Sequence, residues 1–363
     1  GPLYARRLCG KNANDHDADE VIEAPPFLSP RHYHQLVNFP VTTYQLRDAT
    51  APARVIWSYF SPLIPYDHVA SVMPAVFLGI RIVNTTKQLL RCSVMFNLDN
   101  GALTWLPDFE MEAPPIHAMR VTISDDNRNH LGANLFRGAI AEAAPDAVDE
   151  SYVRNALLFG ERRNTGTGPQ PQLCFTVREH HEANITSAIW DSSSGKSSAR
   201  FWQSFMDAGE LPAHQPDADA NAGALCVAVK LAPGASHRAD FILSWHLPPA
   251  SCERLGVHVG YGSSFSCAPE TARYGLKHLT YLYTAISNWH KQLTSSSLPA
   301  SFIESLMSSI RALVTHTRHA PENRFRLTLT AQTSQVNEVE WNFLTSLALL
   351  MFAPRFHAAA VTT

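Results

Sequence analysis

The apolar residues of this chain change their period once, near Glu270, and that switch limits the folds open to it. Before it, short runs alternate at every second residue. After it, Leu279, Leu282, Ile286, Trp289 and Leu293 recur at steps of three and four. Alternation turns one face of a strand toward a core, whereas the three-four spacing makes the stripe of an amphipathic helix. The chain therefore reads as all-β to about residue 265 and all-α afterwards. Ser295-Ser296-Ser297 breaks the first helix, and Leu298-Pro299 starts a second with Phe302, Leu306, Ile310 and Leu313 on one face. Proline costs no hydrogen bond in a first helical turn. A third helix is expected from Asn337 to Met351.

Strands are expected at Val41–Leu46, Val55–Phe60, Ala75–Val83, Leu90–Leu98, Gln172–Arg178, Ile185–Asp191, Ala224–Leu231 and Arg238–Leu247. Each is rich in β-branched or aromatic residues and bounded by Gly, Pro, Asn or Asp. Val121-Thr122-Ile123 is a further candidate. The runs from Phe77 to Val83 and from Cys92 to Leu98 read as a strand pair, followed by turn chemistry at Asp99-Asn100-Gly101. Phe201, Trp202, Phe205 and Met206 mark a short helix over Ala199–Gly209. Pro107 to Pro115 reads as an acidic loop, and Asp125 to Ala147 as loop with a short helix. The fold class is thus mainly β, an antiparallel β-sandwich followed by α-helices. The expected organisation is a poorly ordered segment over 1–35, the sandwich over 36–268 and a helical segment over 269–363. A length of 363 residues suffices for two domains.

A formal net charge of −3 gives no case for a basic face on nucleic acid, so no such partner is expected. The six cysteines include no Cys-x-x-Cys pair. Cys92, Cys174 and Cys226 sit in apolar runs where a thiol acts as a small hydrophobe, which favours a reducing compartment over a disulfide framework. No apolar segment approaches the roughly 18 residues that span a bilayer; Phe343 to Phe352 is too short and reads as a buried helix. No signal peptide is visible, and the opening Gly1-Pro2 reads as a processing scar or the start of a fragment. Asn84-Thr85-Thr86 and Asn184-Ile185-Thr186 match the glycosylation acceptor pattern, a triplet that chance supplies often.

Four constellations have a chemical and a plainer reading. Glu179-His180-His181-Glu182 has metal-ligating residue types, but neighbours in a strand point to opposite faces, so a polar strand end is the expectation. His316 and His319 could share a helix face, yet a pair without a third ligand is more often surface than zinc. Tyr44, Trp57, Tyr59 and Tyr66 could stack on sugar rings; core aromatics are the plainer reading. Ser192–Ser197 ends in Gly-Lys-Ser but lacks the first glycine of a phosphate loop. No cofactor and no metal are expected.

Particular words in the β region are less ordinary. Phe60-Ser-Pro-Leu-Ile-Pro-Tyr-Asp67, Met73-Pro-Ala-Val-Phe77 and Met95-Phe-Asn-Leu-Asp-Asn-Gly101 resemble the amino-terminal domain of the non-lysosomal glucosylceramidase (bile acid β-glucosidase) family, glycoside hydrolase family 116. Phe39–Leu46, Phe201–Leu211, Cys226–Leu231, Phe241–Pro248, Trp289 with Leu298-Pro299-Ala300, Arg324-Phe325 and Phe343–Pro354 continue the resemblance in order over roughly 39–356. The resemblance implies that the helices open an (α/α) barrel that is truncated or degenerate. It also implies hydrolysis of glucosylceramide or other β-glucosides, and a cytoplasmic location with peripheral association at ER, Golgi or plasma membrane.

Retaining β-glucosidases need two carboxyl groups about 5 Å apart, one a nucleophile and one an acid/base. The resemblance places the nucleophile where this chain has Gln332, and a neutral amide neither attacks nor stabilises an oxocarbenium ion as a carboxylate does. Ser308-Ser309 stands where an Asn-Glu pair is expected, and Glu340-Trp341-Asn342 where an Asp-Val-His turn is expected. The family's acid/base aspartate would fall beyond Thr363. Glu338 or Glu340 could substitute as nucleophile, but they read as a solvated first helical turn. This chain alone is therefore expected to be inactive. The alternative function is a catalytically inactive sugar- or lipid-binding or structural relic of the family.

Overall fold

The structure is a computed structural model that describes residues 4–6, 30–99, 116–121, 156–161, 172–178, 180–191, 194–212, 222–248, 264–319 and 325–327. Its strands are β1 (Tyr33–Asn38), β2 (Val41–Leu46), β3 (Ala53–Phe60), β4 (Ala75–Asn84), β5 (Leu90–Asp99), β6 (Ile116–Val121), β7 (Ala156–Glu161), β8 (Gln172–Val177), β9 (Asn184–Trp190), β10 (Ala222–Leu231), β11 (Ser236–His246), β12 (Thr317–His319) and β13 (Phe325–Leu327). The helices are α1 (His68–Ser71), α2 (Gly195–Ala208), α3 (Ala268–Thr294) and α4 (Ala300–His316).

Antiparallel pairing builds an eight-stranded sheet of order β1-β2-β3-β4-β11-β8-β7-β6 and a three-stranded sheet of order β5-β10-β9. The expected β-sandwich is therefore what the chain forms, and period-two alternation explains how its layers stack. On the large sheet, Trp57, Ile80, Ile82, Phe175 and Phe241 face Leu225, Val227 and Val229 of β10. The alternate residues Phe60, Phe77 and Ile242 face Leu276, Leu279, Leu282 and Ile286 of α3. On β10 the residues Ala222, Ala224 and Cys226 turn the other way, toward Phe201 of α2 and Trp190, whose rings stack at 3.8 Å. The layers run α2, small sheet, large sheet, α3. Because β10 is covered on both faces it reads as a nearly unbroken apolar run, and β11 does so only over Phe241–Leu243, beneath α3.

Two expectations are corrected by the pairing. β4 and β5 are not partners: β4 lies between β3 and β11, and among the described residues β5 pairs with β10 alone, so the chain crosses from one sheet to the other between them. Alternation reveals a strand but not its neighbour. Residues 30–38, read as loop-like at their start, form a 3-10 turn over Pro30–His32 and then β1. This edge strand is exposed along nearly all its length, so it has no buried face to imprint a period. β7 also escapes sequence reading, because Ala-Leu-Leu-Phe lacks the β-branched residues that mark strands. The expected third helix over Asn337–Met351, the loops at Pro107–Pro115 and Asp125–Ala147, and all of Val121-Thr122-Ile123 except Val121, the last residue of β6, lie outside the described residues.

The helix expected at Ala199 begins earlier. Ser194 caps it by accepting the Ser197 N–H, so the Ser-Gly-Lys-Ser run is the first turn of α2 and not a loop. Gly209 ends it in the left-handed region at φ 68°, donating its N–H to Phe205 O at 2.8 Å. A Cβ at this position would lie 2.8 Å from Ser93 Oγ. Gly209→Ala is expected to cost about 1–2 kcal/mol by urea unfolding; an unchanged midpoint would contradict the cap. Downstream, α3 carries the expected stripe, with Leu279, Leu282, Ile286 and Trp289 buried. In α4 Ile310 is buried, but Phe302 at the start of the expected face is 53% exposed.

Candidate functional site

The residues expected to bear catalysis, Gln332, Glu338 and Glu340, lie outside the described residues, as do Trp341 and Asn342. Ser308 and Ser309 lie within α4. What the structure does bring together is the junction between the large sheet and α3, and an aromatic ladder beside it.

The junction is held at four levels. Ser244 on β11 donates to Ala268 O at 2.8 Å, at the first residue of α3. Two turns further on, Gly275 lets the helix approach the sheet: a Cβ there would stand 2.9 Å from Phe77 Cζ. Next, Arg238 Nε donates to Asp240 Oδ1 at 2.8 Å, and its guanidinium lies 4.3 Å over the Tyr283 ring. Burial pushes the Tyr283 phenol up to about 12, which keeps it neutral beside that cation. Finally, one ring nitrogen of His290 meets Phe39 O at 2.7 Å, beyond the end of β1.

Tyr66 and Asp67 extend this junction. Tyr66 stands at φ 66° and is 73% exposed, in a turn closed by the Ile64–Asp67 bridge and by Ser71 Oγ, which bonds both N–H and C=O of Ile64. Asp67 caps α1 by accepting the Ala70 N–H at 3.0 Å, and its other oxygen accepts the Tyr281 hydroxyl at 2.8 Å. That bond pushes Tyr281 up to about 12. The words Pro62 to Asp67 thus build a clip between a β-loop and α3.

Of the four aromatics considered for sugar stacking, three meet. Tyr44 stacks on Trp57 at 5.1 Å and on Tyr59 at 5.9 Å, and Tyr33 of β1 joins edge-on. Trp57 is buried with the inter-sheet core, while Tyr59 is 39% exposed, so the ladder runs from core to surface. Tyr66 belongs to the clip instead. Tyr33 was missed because its strand carries no alternating burial.

The histidine cluster departs from expectation. His180 to Glu182 form a turn between β8 and β9, so the neighbours do not split to opposite faces. His180 and His181 stack at 4.9 Å, and His180 meets His237 edge-on at 4.7 Å. Glu179 lies outside the described residues, and among the described residues no three such groups are placed to hold a metal ion. His237 Nε2 is buried without a hydrogen-bond partner, and burial, then His180, lower its pKa from 6.5. The unfolded chain therefore takes up this proton more readily, and stability falls as pH drops below about 6.5. His237→Leu should flatten that slope in unfolding curves between pH 7 and 5, relative to the unsubstituted chain; an identical slope would exclude His237 as its source. His316 ends α4 and His319 lies in β12, so they do not share a helix face.

Two further readings gain detail. Burial pushes the Cys174 and Cys226 thiols up to about 12, which suits small core residues. Asn84 of the first glycosylation triplet is buried with both amide hydrogens bonded, whereas Asn184 of the second is exposed.

A family model described as beta-glucosidase 2, glycosyl-hydrolase family 116 N-term, matches residues 4–282. Among solved structures, one described as a kojibiose phosphorylase from the human microbiome aligns at 9% identity and TM-score 0.27, over 76% of this chain and 23% of that one. A galactose mutarotase related enzyme from Lactobacillus acidophilus aligns at 12% identity and TM-score 0.24, over 59% and 71%. A family GH92 alpha-mannosidase from Bacteroides thetaiotaomicron aligns at 11% identity and TM-score 0.20, over 81% and 28%. The chain thus spans less than a third of the phosphorylase and of the mannosidase.

Proposed function

Because this chain belongs to glycosyl-hydrolase family 116 by its N-terminal domain, we propose that it carries the sandwich and the first barrel helices of a glycosidase acting on glucosylceramide or related β-glucosides. The family match over residues 4–282 is the observation that carries this reading, and a sugar-type ligand follows from it. The junction supports it physically. A helix of 27 residues leaves the sandwich clamped at four levels along its length, which suits a scaffold that orients a following helical domain.

Residues 1–363 alone are proposed to be inactive, since the nucleophile position falls on Gln332 and an amide cannot form the glycosyl ester. A sugar-binding or structural relic is the second reading, favoured by that glutamine. Peripheral association with the cytoplasmic face of ER, Golgi or plasma membrane belongs to the same proposal and rests on family resemblance. An aryl β-glucoside assay on the chain, with Gln332→Glu alongside, tests it. No turnover above background is expected from the unsubstituted chain. Turnover that a β-glucosidase active-site inhibitor abolishes would overturn the inactive reading and restore Glu338 or Glu340 as nucleophile.

A further inference from the structure

Among the described residues, helix α3 covers only part of the outer face of the large sheet, and the part they leave open is basic. It lies over Phe60, Phe77 and Ile242 and reaches Gly79 through Tyr283. Beyond that, register and alternation place arginines on adjacent strands. Arg81 of β4 is the direct partner of Arg238 of β11. Arg54 of β3 sits two residues from Ile56, the partner of Arg81, and Arg47 follows β2 at the level of Arg54. Arg178, just past β8, donates its N–H to Asp240 O and so stands one step from Arg238. Arg47, Arg54, Arg81 and Arg238 are exposed and Arg178 is half-buried.

These five form a staircase across β2, β3, β4, β11 and β8, with steps of about 5 Å across strands and about 7–8 Å on diagonals. Among the described residues of this face on those strands, Asp240 is the only carboxylate; it is buried and already spent on Arg238 Nε. The face is thus strongly positive on a chain whose net charge is −3.

We propose that this staircase is a docking surface for an extended, acidic polypeptide segment of a partner protein. Three features favour that occupant. The cations lie along one line, which matches a linear chain whose same-side carboxylates repeat about every 7 Å. They are all arginine, whose planar fork pairs with carboxylates two bonds at a time and which interfaces enrich over lysine. Arg238 is braced by Asp240 and Tyr283, so little freedom is lost on binding. Among the described residues, the rows between the cations present Ile56, Val83 and Ser236, and the Tyr283 ring at their edge already carries Arg238, which leaves it no open face for a nucleic-acid base. This inference does not depend on glycosidase activity.

Binding of labelled poly-L-glutamate to the full chain, followed by anisotropy, tests it. Phosphatidylserine-containing vesicles and oligo-dT serve as competing polyanions, and unfolding midpoints check that the variants are folded. Polyglutamate is expected to bind and to weaken with salt. Arg54→Glu with Arg81→Glu should weaken it by about tenfold or more, while Lys230→Glu on the small sheet leaves it unchanged. No binding, equal binding by the double variant, or tighter binding to vesicles or oligo-dT at matched charge would overturn the proposal.

Discussion

Phe77→Ala is expected to lower the unfolding free energy by about 3–5 kcal/mol and to loosen α3 from the sheet. Phe77 is 1% exposed and stacks on Phe60 at 4.9 Å, and Phe60 in turn meets the Tyr283 ring of α3 at 4.7 Å. Its far edge fills the notch that Gly275 leaves in the helix surface. Alanine would empty both the stack and the notch, and backbone on either side limits collapse into the space. Trp289 lies nearly two helical turns beyond Tyr283 and is itself buried, so its fluorescence reports undocking separately from global unfolding. Because the chain has seven tryptophans, its share of the emission is taken as the difference from a Trp289→Phe form. A red shift at denaturant concentrations where strand circular dichroism is intact is the expected signature. Gly275→Leu should act in the same direction by overpacking, by about 1–3 kcal/mol. A loss below about 1 kcal/mol for Phe77→Ala would mean that helix and sheet are held elsewhere.

Asn84→Leu, which keeps the branched shape and the number of side-chain heavy atoms, is expected to cost about 2–4 kcal/mol. Asn84 is 1% exposed at the point where the chain leaves the large sheet for the small one. Its amide nitrogen donates to Gln88 O at 2.7 Å and Leu231 O at 2.8 Å, and its oxygen accepts from Thr86 N and Thr86 Oγ1. Its backbone bonds Ala235 O and Gly234 N–H in the turn between β10 and β11. Leucine would leave carbonyls at this buried corner without donors, and that desolvation is the cost. Asn84→Asp gives a sharper test. A carboxylate would face two carbonyl oxygens, so its pKa must rise in the folded state. The variant should be weak at neutral pH and recover stability as acid protonates the new carboxyl. If its stability fell with acid as steeply as that of the parent chain, the two-carbonyl geometry would be wrong.

How much of this was legible depended on whether a residue's environment is local. Val41–Leu46, the stripe of α3 and the Ser295 break follow from period and turn chemistry, and they appear within a residue or two of expectation. β1 and β7 did not, one for want of a buried face and the other for want of β-branched side chains. The clip of Tyr66, Asp67 and Tyr281 joins residues 214 positions apart, which no spacing announces. The histidine turn misled because the adjacent side chains were assigned strand geometry. The arginines were visible only as 29 scattered basic residues; alignment of strands makes them neighbours.

By itself the sequence determined most strand positions, the family and the β-then-α order except at β12 and β13, a strand pair that follows α4 where only helix was expected. The reason is that hydrophobic alternation and short sequence words are properties of contiguous residues, and three-residue strands are too short to show a period. Only the tertiary structure decided which strands are neighbours, that β4 and β5 part company at Asn84, and that the outer face carries a line of cations. Pairing is set by contacts between distant segments, each open to several partners until the core closes and selects one register.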